Sequence, residues 1–412
     1  MKTVVLVSWH FPPTTAVGAR RPAQLHAGLA AHGYRSLVVC PHLTPPRAPA
    51  HDVIETRRGH IGEWIRQVGG FSDKPLFEQA TGVSSHAAST SNQLSRAGLL
   101  RQAKNLILPD DMSPWIPLVL RTARRLRHES VDLVLGTSPP FSAAVAAAGL
   151  ARALNVPFVV DVRDPYTQNA SYPPGWLDRP LKERLERRVL DDAARVITAS
   201  KGFALKQSQL TSTPTTAIYN AYDACDVLAN DVDAPGDAPV IAHTGTIYEK
   251  TATLQPLVDG LRHLVQAGQR PRLVNCGKNG AVLRTHLDAA GLSDVLDDRG
   301  VVSREEAARI RAQAHGLLVF LPSRGADDGH VPAKLFDYLG SGKPVLACGT
   351  PSTEPAQLLA STPWVVCTTA DDVVGFFGRL DEHVRQGPRP DRRFSAASMC
   401  AQFAAVFDDL LA

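Results

Sequence analysis

The sequence predicts an α/β protein built from two doubly wound, Rossmann-like domains, each a parallel sheet with helices on both faces. Short runs rich in Val, Ile and Leu alternate with helical stretches, which is typical of buried parallel strands joined by helices. The same alternation restarts after Asp223. The length of 412 residues suits two domains at roughly 150–200 residues each.

In the first half of the chain the predicted elements follow one another in the order expected for such a sheet. The strands cover residues 3–8, 36–40, 132–135, 158–162, 196–199 and 215–219, and the helices cover residues 23–32, 141–154 and 181–194. Residues 68–105 are rich in Gly, Ser, Gln and Ala without clear periodicity. We therefore expect a long excursion from the first domain there.

A stretch rich in Pro, Gly and Asp at residues 230–239 is the predicted linker, and the second half repeats the alternation. The predicted strands cover residues 240–243, 272–276, 317–321, 344–347 and 364–367, and the helices cover residues 254–267, 281–290, 304–314 and 332–339. Residues 396–411 have the pattern of an amphipathic final helix.

Composition and cysteine spacing exclude several classes of protein. The chain is 44% hydrophobic and 20% charged, which is ordinary for a globular protein, and no run approaches the ~20 apolar residues that span a membrane. The start, Met1 to Val7, reads as a buried strand rather than a signal peptide, so we expect a cytoplasmic protein. The six cysteines include no Cys-x-x-Cys pair, which argues against a zinc or redox motif and favours buried free thiols.

The formal net charge of +4 hides an asymmetry between the two halves. Residues 1–225 carry 26 Lys and Arg against 17 Asp and Glu (+9), and residues 226–412 carry 18 against 23 (−5). Arg121, Arg124 and Arg125 share one face of a predicted helix. This face could make a peripheral membrane contact with anionic lipid head groups or hold a phosphorylated acceptor, and a solvated helix face is the simpler interpretation.

Two common nucleotide-binding fingerprints are absent. No Gly-x-Gly-x-x-Gly follows the first strand, and no Gly-x-x-x-x-Gly-Lys-Ser/Thr occurs. Two doubly wound domains that face one another place a ligand at the carboxyl ends of the strands, in the cleft between the domains.

The segment from His330 to Gly340 predicts a short helix that could form one wall of a nucleotide-sugar site. Pro332 suits the first helical position and Gly340 the stop. The helix start offers free N–H groups and a partial positive charge to a diphosphate, and Lys334 would add a full charge in the first turn. Asp337 could accept hydrogen bonds from ribose hydroxyls. An ordinary amphipathic helix with these two side chains solvated is the alternative.

The loop after the first strand, from Trp9 to Arg21, contains Pro and Gly and ends at a helix start. Gly18 would let the backbone approach a ligand closely, and Arg20 and Arg21 could meet anionic groups. A loop shaped only for chain reversal is the alternative.

The first strand of the second half ends in His243-Thr244-Gly245-Thr246-Ile247-Tyr248-Glu249-Lys250. Lys250 would lie at the mouth of the cleft and could neutralise a diphosphate leaving group, and Thr246 could donate a further hydrogen bond.

Polar residues also follow two strands of the first half. Asp161, Arg163 and Asp164 lie at the end of the strand over residues 158–162, where they could line a site or form a structural Arg–Asp pair that holds the loop. Ser138, in Gly136-Thr137-Ser138-Pro139-Pro140, could line the cleft with its hydroxyl or belong to a plain turn.

Together these segments resemble the family 4 glycosyltransferases of the GT-B fold, the retaining enzymes that use nucleotide sugars. The resemblance extends over most of the chain and is weakest at residues 41–105. It is carried by Phe11-Pro12-Pro13 with Gly18-Ala19-Arg20-Arg21, Ser138-Pro139-Pro140, Asp161-Val162-Arg163-Asp164, Gly245-Thr246-Ile247-Tyr248 with Lys250, and Val331 to Leu339. Tyr219 to Asp223 resembles the segment ahead of the interdomain linker, and Gly300 to Ser303 resembles the loop that contacts the nucleobase.

The resemblance implies a GT-B fold with two Rossmann-like domains facing a central cleft. Residues 1–225 would bind the acceptor, with the final helix (396–412) packing back on them, and residues 226–395 would bind the donor. The implied reaction moves a sugar from a nucleoside-diphosphate donor to an acceptor hydroxyl with retention of configuration. The fold usually requires no metal, and the nucleotide sugar is a substrate, so no cofactor is expected.

The resemblance also implies roles for particular residues. Lys250 would hold the diphosphate and Asp337 the ribose, and these two are the catalytic candidates. Gly18 would approach the phosphates from across the cleft, and the amides near His330 would approach the sugar or diphosphate. The donor-binding candidates are Gly18, Gly245, Thr246, Lys250, Val302, His330, Val331, Pro332, Lys334 and Asp337. The acceptor-side candidates are Arg20, Arg21, Ser138, Asp161, Arg163 and Asp164.

The chain departs from the family pattern at four places. Gly329 occupies the first position of the paired acidic motif, and Asp337 stands where the family usually has Glu. Thr246 stands where an Arg is often found four positions before the phosphate-binding Lys. Some relatives have a catalytic His after the strand over residues 132–135. This chain has Ser138 and Pro139 there, so the sequence assigns no catalytic base.

The expected partners are a nucleotide-sugar donor and a glycan, lipid-linked or small-molecule acceptor, in cell-envelope polysaccharide or glycoconjugate synthesis, and no nucleic acid. Two other functions stay open at this point. One is a non-catalytic nucleotide- or glycan-binding protein on the same fold, which the altered acidic motif suggests. The other is a sugar-nucleotide epimerase, which would give product without any acceptor.

Overall fold

The computed structural model describes residues 1–42, 51–57, 108–169, 174–175, 178–223, 238–247, 254–321 and 329–412. The chain divides into two compact units, Met1–Tyr219 with Cys400–Ala412, and Asn220–Met399. The predicted excursion at residues 68–105 and most of the predicted linker at residues 230–239 lie outside the described residues.

The first unit is built on one parallel sheet. In the described part of the chain its strands are β1 (Lys2–Ser8), β2 (Tyr34–Pro41), β3 (Val53–Thr56), β4 (Leu133–Ser138), β5 (Phe158–Val162), β6 (Arg195–Thr198) and β7 (Thr215–Ala217). Its helices are α1 (Arg20–Gly28), α2 (Ile116–Arg121), α3 (Ala123–Leu126), α4 (Phe141–Leu154), α5 (Arg179–Asp191) and α6 (Lys201–Ser208).

The strand order of the first sheet is β3-β2-β1-β4-β5-β6-β7. The chain runs outward from β1 to β3 and returns to β4 on the other side of β1. Because such connections are right-handed, the two runs place their helices on opposite faces, and the order reverses between β1 and β4. Helix α4 lies very close to this sheet, since a Cβ on Gly136 would come within 2.5 Å of the Ala147 Cβ.

The second unit repeats this plan with a shorter sheet. Its strands are β8 (Val240–Thr244), β9 (Arg272–Cys276), β10 (Leu296–Asp298), β11 (Gly316–Phe320), β12 (Val345–Cys348) and β13 (Trp364–Cys367). Its helices are α7 (Gln255–Gln266), α8 (Gly280–Ala289), α9 (Arg304–Gln313), α10 (Ala333–Ser341), α11 (Glu354–Leu358) and α12 (Ala370–Gln386). The order β10-β9-β8-β11-β12-β13 reverses between β8 and β11.

The final helix, α13 (Ala396–Leu411), joins the first unit over most of its length. The Cys400 thiol donates to the Gln24 carbonyl at 3.4 Å. Gly28 leaves room for this sulfur, because a Cβ there would lie 2.5 Å from it. Tyr34 packs edge-on against Phe407 at 5.4 Å between ring centroids. These contacts fix the C-terminal helix against α1 and β2.

The observed elements correct several expectations from the sequence. The bounds predicted for β5, β9, β13, α4 and α13 agree with the structure, and those of the other predicted elements shift by a few residues. No element was expected at β3, β10, α6, α11 or α12. The arginine-rich helix is divided at Thr122 into α2 and α3. Gly340 does not end its helix: it lies inside α10, where a Cβ would clash with the Tyr222 ring at 2.4 Å.

Candidate functional site

In the second unit, polar side chains gather at the carboxyl ends of β8, β9 and β10, next to the start of α10. The strand order reverses between β8 and β11, and α10 follows β11 in the chain. Open α/β sheets bind their ligands at this kind of reversal, outside the carboxyl ends of the strands. The candidate donor site therefore lies where the fold favours a ligand.

The loops after β8, β9 and β10 are joined through glycine backbones. The Gly245 N–H donates to the Cys276 carbonyl and the Gly277 N–H to the Gly300 carbonyl, both at 2.7 Å. Gly277 has φ +151°, and a Cβ there would lie 2.0 Å from the Gly245 oxygen. Only glycine fits this position, and the close approach holds the three loops in one layer.

Helix α10 begins with Pro332 as its N-cap, one residue later than the sequence predicted, and ends at Gly342, whose φ is +64°. The N-cap residue Pro332 makes no side-chain hydrogen bond to the first N–H groups, which carry the partial positive charge of a helix start. The Tyr338 hydroxyl accepts from the Thr244 N–H at 3.0 Å and donates to the Leu318 carbonyl at 3.1 Å. This buried tyrosine ties α10 to the ends of β8 and β11.

Lys334 does not extend freely into solvent, as the alternative interpretation of an ordinary amphipathic helix required. Its half-buried amino group donates to the Thr246 carbonyl and contacts His243 Nε2, each at 2.9 Å. Burial lowers the pKa of Lys334 to about 7, because the charged form loses its hydration. The first turn of α10 therefore holds an amine poised between its two protonation states rather than a permanent charge.

His243, Asn275 and Asp298 form a row beneath this lysine. They are register partners on β8, β9 and β10, so their side chains lie on the same face of the sheet. His243 Nδ1 lies 2.8 Å from Asn275 Oδ1, and Asn275 Nδ2 donates to Asp298 Oδ1 at 2.7 Å. Burial, and then the charge of Lys334, lower the pKa of His243 well below its usual value.

No role in the donor site was predicted from the sequence for His243, Asn275, Asp298 or Tyr338. A signal for the first three exists, since each stands two positions before a glycine at the end of a strand: His243-x-Gly245, Asn275-x-Gly277 and Asp298-x-Gly300. No similar signal marks Tyr338, whose hydroxyl partners are fixed only by packing.

The other donor-side candidates have varied surroundings. Gly245 and Thr246 contribute backbone next to Lys334, and His330 is exposed while Val331 and Pro332 are buried. Val302 is half-buried beside the exposed Val301, in the loop predicted to meet the base, and Asp337 is half-buried on α10. Lys250 lies outside the described residues, so its predicted role stays a prediction.

In the first unit, Arg21 and Asp161 form a buried ion pair. Both side chains are buried, and the guanidinium donates from Nε and Nη2 to the two carboxylate oxygens at 3.0 and 2.8 Å. Arg21 Nη1 also donates to the carbonyls of Ile218 and Tyr219 at 2.9 Å. The expectation that Arg21 meets anionic groups of an acceptor stays a prediction, and in this arrangement the charge of Arg21 is paired with that of Asp161.

Arg163 also has a structural role, but not as the Arg–Asp pair considered from the sequence. Its buried guanidinium donates to the carbonyls of Ser138, Gly18 and Pro139 at 2.8–3.1 Å. Burial lowers the pKa of Arg163. A Cβ on Gly18 would be tightly packed, 3.1 Å from the His10 ring and 3.3 Å from the guanidinium, so these side chains would have to shift by a few tenths of an ångström. The guanidinium that lies close to the Gly18 backbone is thus that of Arg163, in the same unit.

The remaining acceptor-side candidates differ in accessibility. Ser138 is buried, whereas Arg20 and Asp164 are half-buried at the carboxyl edge of the first sheet. Arg20 and Asp164 are therefore the candidates of this set with charged groups accessible to an acceptor. Within the described residues no cluster of His, Cys, Asp or Glu could hold a metal ion, and no helix is long and apolar enough to cross a membrane.

Comparison with known proteins identifies the fold and a domain. Residues 18–207, a little under half of the chain, match the family described as Glycosyl transferase 4-like domain. Comparison with curated protein sequences gives no significant match. Among solved structures, Anabaena HepE in complex with UDP is similar over 100% of both chains, with a TM-score of 0.60 and 13% sequence identity.

Two further solved structures show how widely this fold is used. Sucrose-phosphate synthase from Thermosynechococcus elongatus is 14% identical, with a TM-score of 0.58 over 100% of this chain and 99% of that one. A Listeria monocytogenes protein assigned as a UDP-N-acetylglucosamine 2-epimerase is 12% identical, with a TM-score of 0.55 over 99% and 96%. At these identities the likeness establishes the fold, which confirms the predicted α/β architecture of GT-B type with two Rossmann-like domains.

Proposed function

We propose that this chain, a glycosyltransferase enzyme of the GT-B fold, moves a sugar from a nucleoside-diphosphate sugar to an acceptor hydroxyl with retention of configuration. The observation that carries the proposal is the start of α10 at the strand-order reversal of the second unit. There, the N–H groups of the helix start and the Lys334 amine lie together beside the glycine loops of β8 and β9. Such a place suits a diphosphate.

These groups would stabilise the negative charge that develops on the diphosphate as the sugar leaves it. Preorganised donors aimed at developing charge supply a large share of catalysis in such sites. The α10 start and Lys334 would act on the phosphates, with Lys250 as a further cation. Asp337 would accept from the ribose, and the loop at Val302 would meet the base. The departing phosphate can take the acceptor proton, so no separate base is required.

The donor is proposed to be a nucleotide sugar because HepE was solved in complex with UDP and, in a second structure, with UDP and glucose. We propose that transfer needs no metal ion and takes place in the cytoplasm, on a glycan, lipid-linked or small-molecule acceptor of the cell envelope. The basic first half, at +9 over residues 1–225, favours an anionic acceptor or a peripheral contact with anionic lipid. Arg20 and Asp164 would meet that acceptor.

A sugar-nucleotide epimerase is the second candidate, because the Listeria monocytogenes protein shares the fold at nearly the same TM-score. A non-catalytic binding protein is the third, since Gly329 replaces one acidic residue of the family motif. The family match of residues 18–207 favours the transferase over both.

The first experiment measures thermal stabilisation of the protein by UDP, GDP, ADP, dTDP and CDP. A specific ligand at about 100 times its dissociation constant adds about 2.7 kcal/mol to the free energy of unfolding. A shift from one base identifies the sugar nucleotides for transfer assays. Sugar turnover only with an acceptor supports the transferase, turnover without one supports the epimerase, and binding without either reaction supports the binding protein. No shift from any base would contradict a nucleotide-sugar donor.

A further inference from the structure

The hydrogen bonds of the row from Lys334 to Asp298 run in one direction. The Asp298 carboxylate accepts from the Asn275 amide nitrogen, so the amide oxygen faces His243. That oxygen can only accept, so His243 must donate from Nδ1. His243 Nε2 is then an acceptor, and the Lys334 amine donates to it at 2.9 Å. The row therefore fixes one neutral tautomer of a fully buried histidine.

This tautomer determines where the Lys334 amine lies. Two of its N–H bonds are directed to His243 Nε2 and to the Thr246 carbonyl, which lie behind it in the β8 loop. The lysine stem passes over Gly245, since a Cβ there would lie 3.3 Å from the lysine Cε. Among the described residues these two are the acceptors of the amine, which leaves one N–H direction for a ligand at the start of α10.

We propose that His243 is a positioning residue of the donor site: held by Asn275 and Asp298, it acts through Lys334 and directs that amine to a phosphate of the nucleotide sugar. The inference rests on the proposed function and adds to it a device that the family motif does not contain. A lysine on a flexible stem loses rotamer freedom when it binds, and a lysine already held by two acceptors has lost part of it beforehand. Binding of the diphosphate also favours the charged form of an amine whose pKa is near 7.

Two substitutions at His243 separate positioning from simple packing. His243→Gln places an amide near the position of Nε2 and keeps an acceptor for Lys334, whereas His243→Asn places its amide near Nδ1 and loses that acceptor. The probe is the nucleoside diphosphate that stabilises the wild-type protein in the panel above, beginning with UDP, and its dissociation constant is measured by calorimetry.

We expect Lys334→Met and His243→Asn each to weaken binding by about 10- to 100-fold, the range for one hydrogen bond to a charged group. The dissociation constant of His243→Gln should stay within about 3-fold of the wild-type value. In the Lys334→Met background, His243→Asn should raise the dissociation constant by less than a further factor of about 2, because the two residues act as one unit. His286→Asn, on the exposed side of α8, is the matched control and should bind like the wild type.

A measurement on the wild type keeps the test valid if a variant fails to fold. Acetic anhydride should modify Lys334 more slowly when UDP is bound, with the exposed Lys201 of the first unit as internal reference by mass spectrometry. Unchanged labelling of Lys334 under saturating nucleotide would overturn the positioning role and leave the transferase proposal standing, as would equal binding by His243→Asn and the wild type. Absence of binding by every nucleotide would overturn both.

Discussion

Replacing Arg21 by Met tests whether this arginine holds the first unit together or binds the acceptor. The side chain is 2% exposed, and among its hydrogen bonds are two to Asp161 and one each to the carbonyls of Ile218 and Tyr219. Its guanidinium carbon also lies 4.9 Å from the centre of the Phe403 ring. Methionine keeps the stem and removes every one of these polar contacts.

The expected loss of stability follows from the Asp161 carboxylate, which Arg21→Met leaves without its partner. Asp161 is fully buried and would retain the hydroxyl of Thr137, at 2.9 Å. Leaving one partner of a buried ion pair alone costs about 3–5 kcal/mol. The variant should therefore be less stable than the wild type by about this amount at neutral pH.

The assay is urea unfolding followed by far-ultraviolet circular dichroism, with hydrogen exchange of β1 and β5 peptides to assign the change to the first unit. Arg20→Met is the matched control, one position earlier and half-buried, and should cost less than about 1 kcal/mol. Arg21→Met with Asp161→Asn should recover part of the loss because no charge is then isolated. Stability within 1 kcal/mol of the wild type, together with lost transfer to the acceptor, would refute the structural role.

Three further predictions concern the second unit. Lys250→Ala should lower turnover by about 10²–10³-fold in a transfer assay without unfolding the protein, and unchanged turnover would remove its assignment. Gly277→Ala should destabilise the protein by at least about 1–3 kcal/mol and weaken nucleotide binding, because its Cβ meets the Gly245 oxygen at 2.0 Å. Gly378→Ala, with open space around it in α12, should be neutral or stabilising in the same thermal scan. Lys334 binds its proton less tightly when folded, at a pKa of about 7, so it makes the free energy of unfolding rise from pH 7 to pH 10. Lys334→Met should reduce that rise in urea titrations, and an unchanged slope would contradict the lowered pKa.

Much of the fold could be predicted because burial has a local signature. Apolar runs such as β9 and the alanine-rich α4 were predicted with their observed bounds. The missed elements differ in this respect. Strand β10 contains two aspartates in three residues, so its tertiary environment overrides a weak local preference. Helix α12 does carry a local signal, a capping box between Thr369 and Asp372 followed by apolar residues at helical spacing, which the prediction from the sequence did not use.

The candidate site was predicted in outline but not in its contacts. The sequence placed Lys334 at a helix start and marked the glycine loop after β8, and the structure brings the two together. It could not show that the amine turns back to His243, 91 residues away in the chain. For the same reason Arg21 was predicted as an anion ligand, although Asp161 already occupies it.

The sequence by itself determined the two parallel sheets, the alternation of strands and helices, and the positions of the polar residues that follow the strands. These features depend on periodicity and on turn residues within a short stretch of sequence. Only the tertiary structure decided which polar groups pair with one another. Pairing across a parallel sheet depends on strand order and register, which join His243, Asn275 and Asp298 although no local pattern connects them. Burial then fixes their charge states, because the cost of leaving water is set by neighbours that lie far away in the sequence.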